Sequence, residues 1–263
     1  MDEFIAKQLS TVKRRNKNYP LYFAPELKPL MNEFIKPKNI FPFYLIVEIE
    51  KEQSEDFYVK RKIGENDEII CQIIRNDSLD EFIDYISKND IQLDSIIQPS
   101  IFETNNFLLK NNYVSLIEYA AFFGSKKIFQ YLIKFNNMSS LETSIWNYAI
   151  HGGNAEIIHY LEENHIQPAL NDKKEYEIFF KESIKCHFND AANYIKNKYI
   201  KEDWNKSFDI LINALKYYNF YYIQNELIND SSFGYLCKYD YFMLVQILLC
   251  EKEININQKI ANI

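Results

Sequence analysis

The chain is poor in the residues that turn a backbone sharply, with only 5 Gly and 7 Pro among 263 residues. A β-sandwich or barrel of this length needs far more turn residues, so an α-rich chain is the first inference. There is no basic excess either. The net charge is −7, whereas general nucleic-acid binders draw most of their affinity from neutralising phosphates. Long apolar runs are missing too. The longest, Ile40 to Val47, is interrupted by Pro42, and a membrane-crossing helix needs ~20 apolar residues. This run is therefore expected to be buried core. The opening Met-Asp-Glu-Phe-Ile-Ala-Lys carries early acids and no apolar stretch, so no secretory signal is expected. Cys71, Cys186, Cys237 and Cys250 lie far apart without CxxC spacing, which predicts reduced, buried thiols in an intracellular protein.

What is present is core material. Apolar residues make up 47% of the chain, with 20 Tyr and 20 Phe, a composition opposite to that of disordered segments.

The chain also repeats itself. Ser115-Leu116-Ile117-Glu118-Tyr119-Ala120-Ala121-Phe122-Phe123-Gly124 matches Ser144-Ile145-Trp146-Asn147-Tyr148-Ala149-Ile150-His151-Gly152-Gly153. Ser, Tyr, Ala and Gly recur at identical offsets. Each copy runs into a helical apolar pattern, Ile128-Phe129 with Tyr131-Leu132 and Ile157-Ile158 with Tyr160-Leu161, one face of a 3.6-residue period. The small residue at Ala120 or Ala149 lets a short inner helix pack closely on its neighbour. Gly124 and Gly153 stand where the chain leaves that helix, a position that favours positive φ. Fainter copies follow. In one, Ser183 takes the small position and His187 replaces the Gly. Another holds Asn213-Ala214-Leu215 before Tyr222-Ile223 and Leu227-Ile228. A last one runs from Leu244 to Leu249 towards Glu253-Ile254-Asn255-Ile256-Asn257. Upstream, Ile69 to Ile74 and Leu79 to Ile86 read as another helix pair, with Ser78 and Glu81 placed for a capping box.

This pattern resembles the ankyrin repeat, in a divergent form of the type abundant in protists. Ser-Leu-Ile-Glu-Tyr-Ala stands where that family has Thr-Pro-Leu-His-x-Ala. The expected fold class is all-α, a solenoid of ankyrin-like helix-turn-helix repeats with short or degraded hairpins. About six repeats are expected over residues 66–263. Residues 1–65 fall outside the frame and read as a helical N-terminal cap or degenerate repeats, with a polar helix at Lys7 to Asn18 and an exposed acidic loop holding Glu48, Glu50, Glu52, Glu55 and Asp56. The apolar pairs Leu30-Met31 and Phe34-Ile35 are expected to pack against the first repeat.

Chemistry-bearing candidates are few. His151, His159, His165, His187 and Cys186 show no short ligand spacing, so no metal is expected. Cys186 and His187 are adjacent and point in different directions. Phosphate, dinucleotide, zinc-protease and hydrolase signatures are lacking, and the reading is of a protein that is not an enzyme and needs no cofactor. The resemblance implies binding of another protein or peptide in a concave groove. Carried over residue by residue, the groove positions are Phe122, Phe123, His151, Lys185, Lys216, Tyr217, Lys238 and Tyr239, with Gly152 and Cys186 between them. The alternative is a nuclear or nucleic-acid-associated adaptor using the basic segment 13–17 (Lys13, Arg14, Arg15, Lys17). No small-molecule substrate and no membrane insertion are expected.

Overall fold

The computed structural model describes residues 19–111, 113–135, 142–166, 173–200, 208–223 and 228–251. The basic segment 13–17, the expected helix at Lys7 to Asn18 and the stretch Glu253 to Asn257 lie outside these residues. Among the described residues the chain is all-α, with no strand and a single isolated bridge between Ile96 and Ser115. No described helix is long and apolar enough to cross a membrane. The chain divides into two compact units, residues 1–119 with 130–136, and residues 120–129 with 137–263.

The first unit begins with two single helical turns, α1 (Tyr19–Tyr22) and α2 (Ala24–Leu27), which continue as tighter and wider turns through Ile35. Helices α3 (Phe43–Glu50) and α4 (Glu55–Ile63) follow. Ala24, Leu27, Met31, Ile35, Phe41, Leu45 and Ile49 form one apolar cluster. Leu30, Met31 and Ile35 thus pack on α3 rather than on the first expected repeat. Two expectations are corrected here. The run Ile40 to Val47 is not uniformly buried, because as a helix it turns Phe43, Tyr44 and Val47 outward, Phe43 to 80% exposure. The acidic cluster is exposed, yet only residues 51–54 form a loop, with Glu48 and Glu50 in α3 and Glu55 and Asp56 in the first turn of α4, where carboxylates favour the helix dipole. The basic run in α4 is held within the fold: Lys60 pairs with Asp56 and Asp67, and Arg61 with Glu26.

Next come α5 (Ile69–Arg75), α6 (Leu79–Lys88), α7 (Asn106–Lys110), α8 (Leu116–Phe123) and α9 (Lys126–Phe135). Ser78 does precede α6, but its side chain makes no cap bond, and the backbone N–H that Glu81 would take in a capping box is committed to the Ile73 carbonyl. A reciprocal cap forms instead at Ser115, whose backbone N–H donates to Glu118 at 2.8 Å while the Glu118 N–H reaches the Ser115 hydroxyl at 3.4 Å.

The second unit holds α10 (Glu142–His151), α11 (Ala155–Glu163), α12 (Lys173–Lys185), α13 (Asn189–Ile195), α14 (Phe208–Lys216), α15 (Asp230–Lys238) and α16 (Phe242–Glu251). The inner helices α10, α12, α14 and α15 pack on one another in chain order. Trp146 is fully buried, stacks on Phe179 and donates its indole N–H to the Ile166 carbonyl at 2.9 Å. After α14 the described residues continue into a 3-10 turn, Phe220–Tyr222. Tyrosines tie the outer layer together: Tyr194 and Tyr199 donate to Glu162, and Tyr222 to Asn193.

Every inner helix ends in the same way. A left-handed residue follows it, at Asp77, Gly124, Gly153, His187, Tyr218 and Asp240. The next residue then donates its N–H back to the carbonyl five positions earlier, as in Asn154 to Ala149 and Phe188 to Ser183, closing a Schellman turn. Ala120, Ala149, Ser183 and Ala214 are the small, buried acceptors at this place. The residue after the left-handed one also serves the preceding inner helix. Asn154 donates to the Phe122 carbonyl at 2.6 Å, Asn219 to Ile184 at 2.8 Å, and the Tyr241 hydroxyl to Leu215 at 3.0 Å. Gly152 permits the approach: a Cβ there would stand 1.8 Å from the Phe122 oxygen.

Two outcomes follow from this geometry. Gly152→Ala destabilises the fold by about 1–3 kcal/mol because backbone must move, read as a lower urea midpoint. Asn219→Ala, which removes the side-chain donor shared by the Ile184 carbonyl and the Asn189 side chain, costs about 1–3 kcal/mol, and the urea slope stays unchanged.

Candidate functional site

The side chains singled out from sequence occupy one recurring place. His151, Lys185, Lys216 and Lys238 are the last residues of α10, α12, α14 and α15, and Gly152, Cys186, Tyr217 and Tyr239 are the cap residues that follow. Phe122 and Phe123 end α8 in the same register. The packing brings several of them together. The Lys185 ammonium lies 5.9 Å from the Tyr217 ring centroid and that of Lys216 lies 5.1 Å from it, while Lys238 stands 5.8 Å from the Tyr239 ring. These distances are within cation–π reach. Lys216 and Lys238 are exposed, and Lys185, Tyr217 and Tyr239 are half-buried. Phe122 is not on this surface: it is buried and packs edge-on against the half-buried Phe123.

A second arrangement in the same row escaped the sequence reading. His151 Nε2 lies 2.8 Å from a carboxylate oxygen of Glu182, and its Nδ1 lies 3.4 Å from the Cys186 sulfur. The same Glu182 oxygen takes the Lys185 ammonium at 2.7 Å. His151 comes from the end of α10, and Glu182 and Cys186 from one turn at the end of α12. Cys186 therefore has an imidazole neighbour, but it is His151 from the preceding helix pair and not the adjacent His187. The imidazole of His187 instead sits 2.8 Å from the Tyr217 carbonyl. His159 is exposed on α11 beside Glu163, and His165 is a left-handed turn residue. Glu182 was missed because its partner lies in the neighbouring pair. The available signal was the mixed Glu-x-x-x-Cys spacing in register with a His one repeat earlier.

The electrostatics are those of a half-buried ion pair. Desolvation alone would raise the Glu182 carboxyl, but the hydrogen bonds from His151 and Lys185 outweigh it and hold it down to about 2. Desolvation pushes the Cys186 thiol up to about 11, with the Glu182 charge adding to the effect. The protonated thiol is a poor nucleophile at neutral pH, and its place at a helix C-terminus, the negative end of the dipole, works in the same direction. Of the four cysteines, none in a disulfide, only Cys71 is buried; Cys186 is half-buried, and Cys237 and Cys250 are exposed. This corrects the expectation that all four are core residues.

Because the folded carboxyl of Glu182 titrates below its ordinary value of 4.5, its stabilisation is complete above that pH and fades as pH falls towards about 2. Glu182→Gln is accordingly less heat-stable than wild type at pH 7, and the difference narrows through the acid range in a series of thermal melts.

No protein-family profile matches the chain, and neither a curated protein nor a solved structure matches it significantly.

Proposed function

We propose that this protein is an intracellular protein–protein interaction module built from divergent ankyrin-like repeats, and that it binds rather than catalyses. The observation that carries the reading is the recurrence of a basic residue and an aromatic ring at the ends of successive inner helices: Lys185, Lys216 with Tyr217, and Lys238 with Tyr239. Repeats that present equivalent positions side by side create extended binding rows. Tyrosine is among the side-chain types enriched where interfaces gain most of their energy, and the lysines beside the rings supply charge complementarity rather than that enrichment.

The charge of the row sets the chemistry of the partner. Within a chain of net charge −7, the exposed Lys216 and Lys238, continued by Lys185 where it shares Glu182, form a local basic line, which suits an extended protein segment bearing carboxylates. The rings supply apolar area between the charges.

The test is titration of the full chain with fluorescent peptides from an acidic library, against neutral and basic controls. Wild type binds acidic peptides, and the binding weakens as salt rises through the Debye screening range. The variant Lys185→Glu/Lys216→Glu/Lys238→Glu, confirmed as folded by circular dichroism, loses affinity at least ~10-fold, equivalent to about 1.4 kcal/mol. Equal affinity of wild type and folded variant sinks the assignment of this row, as does preference for a basic peptide.

A further inference from the structure

We propose that His151, Glu182 and Cys186 bind a divalent transition metal of borderline softness, with zinc the fitting ion. Their donor atoms, an imidazole nitrogen, a carboxylate oxygen and a sulfur, lie within 4.8 Å of one another. This is the mixed nitrogen, oxygen and sulfur set that zinc accepts. The decisive distance is the 3.4 Å between Cys186 Sγ and His151 Nδ1. Two such ligands on one tetrahedral zinc, at their usual bond lengths, stand roughly 3.5 Å apart. The pair is therefore already spaced to share an ion at Nδ1, and Glu182, which now holds the opposite ring nitrogen Nε2 at 2.8 Å, closes the third position by leaving that nitrogen.

The surroundings favour a cation over a bare thiolate. Helices α10 and α12 both direct their C-terminal ends at the cluster, and the negative ends of helix dipoles attract positive charge. The Lys185 ammonium already exploits this at Glu182. On metal binding the Cys186 S–H bond breaks and a sulfur–metal bond forms, with the proton passing to solvent. The Glu182 oxygen exchanges the Lys185 ammonium and the His151 Nε2 contact for the ion, and the ion gives up the waters these donors replace. No oxidation state changes. The fourth position stays open to water or to a donor from a bound partner. Since the ligands belong to consecutive helix pairs, the ion also clamps α10 to α12, and binding free energy becomes folding free energy.

The test is a titration of the reduced, full-length, metal-stripped protein with Co²⁺, followed by Zn²⁺. One Co²⁺ per chain produces a sulfur-to-cobalt charge-transfer band, Zn²⁺ displaces it, and either metal raises the melting temperature. Cys186→Ser and His151→Gln each remove the band and the thermal shift, and each weakens Zn²⁺ binding at least ~10-fold. Cys237→Ser/Cys250→Ser, which removes the two exposed thiols, leaves both signals in place. The proposal is overturned if the folded wild type shows no saturable binding. It is equally overturned if binding survives either Cys186→Ser or His151→Gln, or is lost in Cys237→Ser/Cys250→Ser.

Discussion

The carbonyls at the C-terminal ends of the inner helices are the constraint on which the second unit depends. A helix leaves its last four carbonyls without intrahelical partners. Packing inner helices side by side buries several of them, where an unmatched acceptor is expensive. The chain answers with the residue after each left-handed turn, which completes its own Schellman motif through the backbone and caps the preceding helix through its side chain. Asn154, Asn219 and Tyr241 do this with an amide or a hydroxyl. Phe188 has no donor, and its ring instead occupies the space over Gly153. The identities at these positions are thus set by the neighbouring helix pair rather than by the turn in which they sit.

This division explains what was legible in the sequence. The inner helices were legible because Ala120, Ala149 and Ser183 mark close packing, and because Gly124 and Gly153 mark positive φ at a fixed distance beyond them. The frame placed His187 correctly at the third such turn. Asp77, Tyr218 and Asp240 adopt the same conformation without a Gly to announce it, so these turns leave little mark in the sequence. The 3-10 turn at Phe220–Tyr222 left no trace in apolar content. The exposed face of α3 was invisible for a related reason, since apolar residues on a short helix do not say which of them has a neighbour. Glu182 with His151 and Cys186 is a contact between pairs, and no local spacing rule within one pair predicts it.

The same helix ends explain why the candidate site and the fold are hard to separate. A cation at the last helical position is favoured by the dipole whether or not anything binds there, and Arg75 in the first unit occupies that position too, paired with Glu65. Exposure separates the two roles. Arg75 is largely covered and held by the fold, whereas Lys216 and Lys238 face solvent beside tyrosine rings. The same residue type thus stands at one position in two surroundings, covered at Arg75 and open to solvent at Lys216 and Lys238.

Left-handed backbone at a residue other than glycine carries a local cost of roughly 1–2 kcal/mol, and the chain accepts it at His187 and Tyr218. Both side chains repay it across the repeat boundary: His187 reaches the Tyr217 carbonyl and the Tyr218 hydroxyl reaches that of Tyr239. A strain confined to one turn is thereby exchanged for a bond to the next pair, while Asn219 ties the same turn back to the previous one. In a one-dimensional array, stability divides between intrinsic and nearest-neighbour terms. Here weight moves from the first to the second. Helix pairs linked in this way are poor as isolated pieces and open together, so the transition of the second unit is sharper than its individual helix pairs would give.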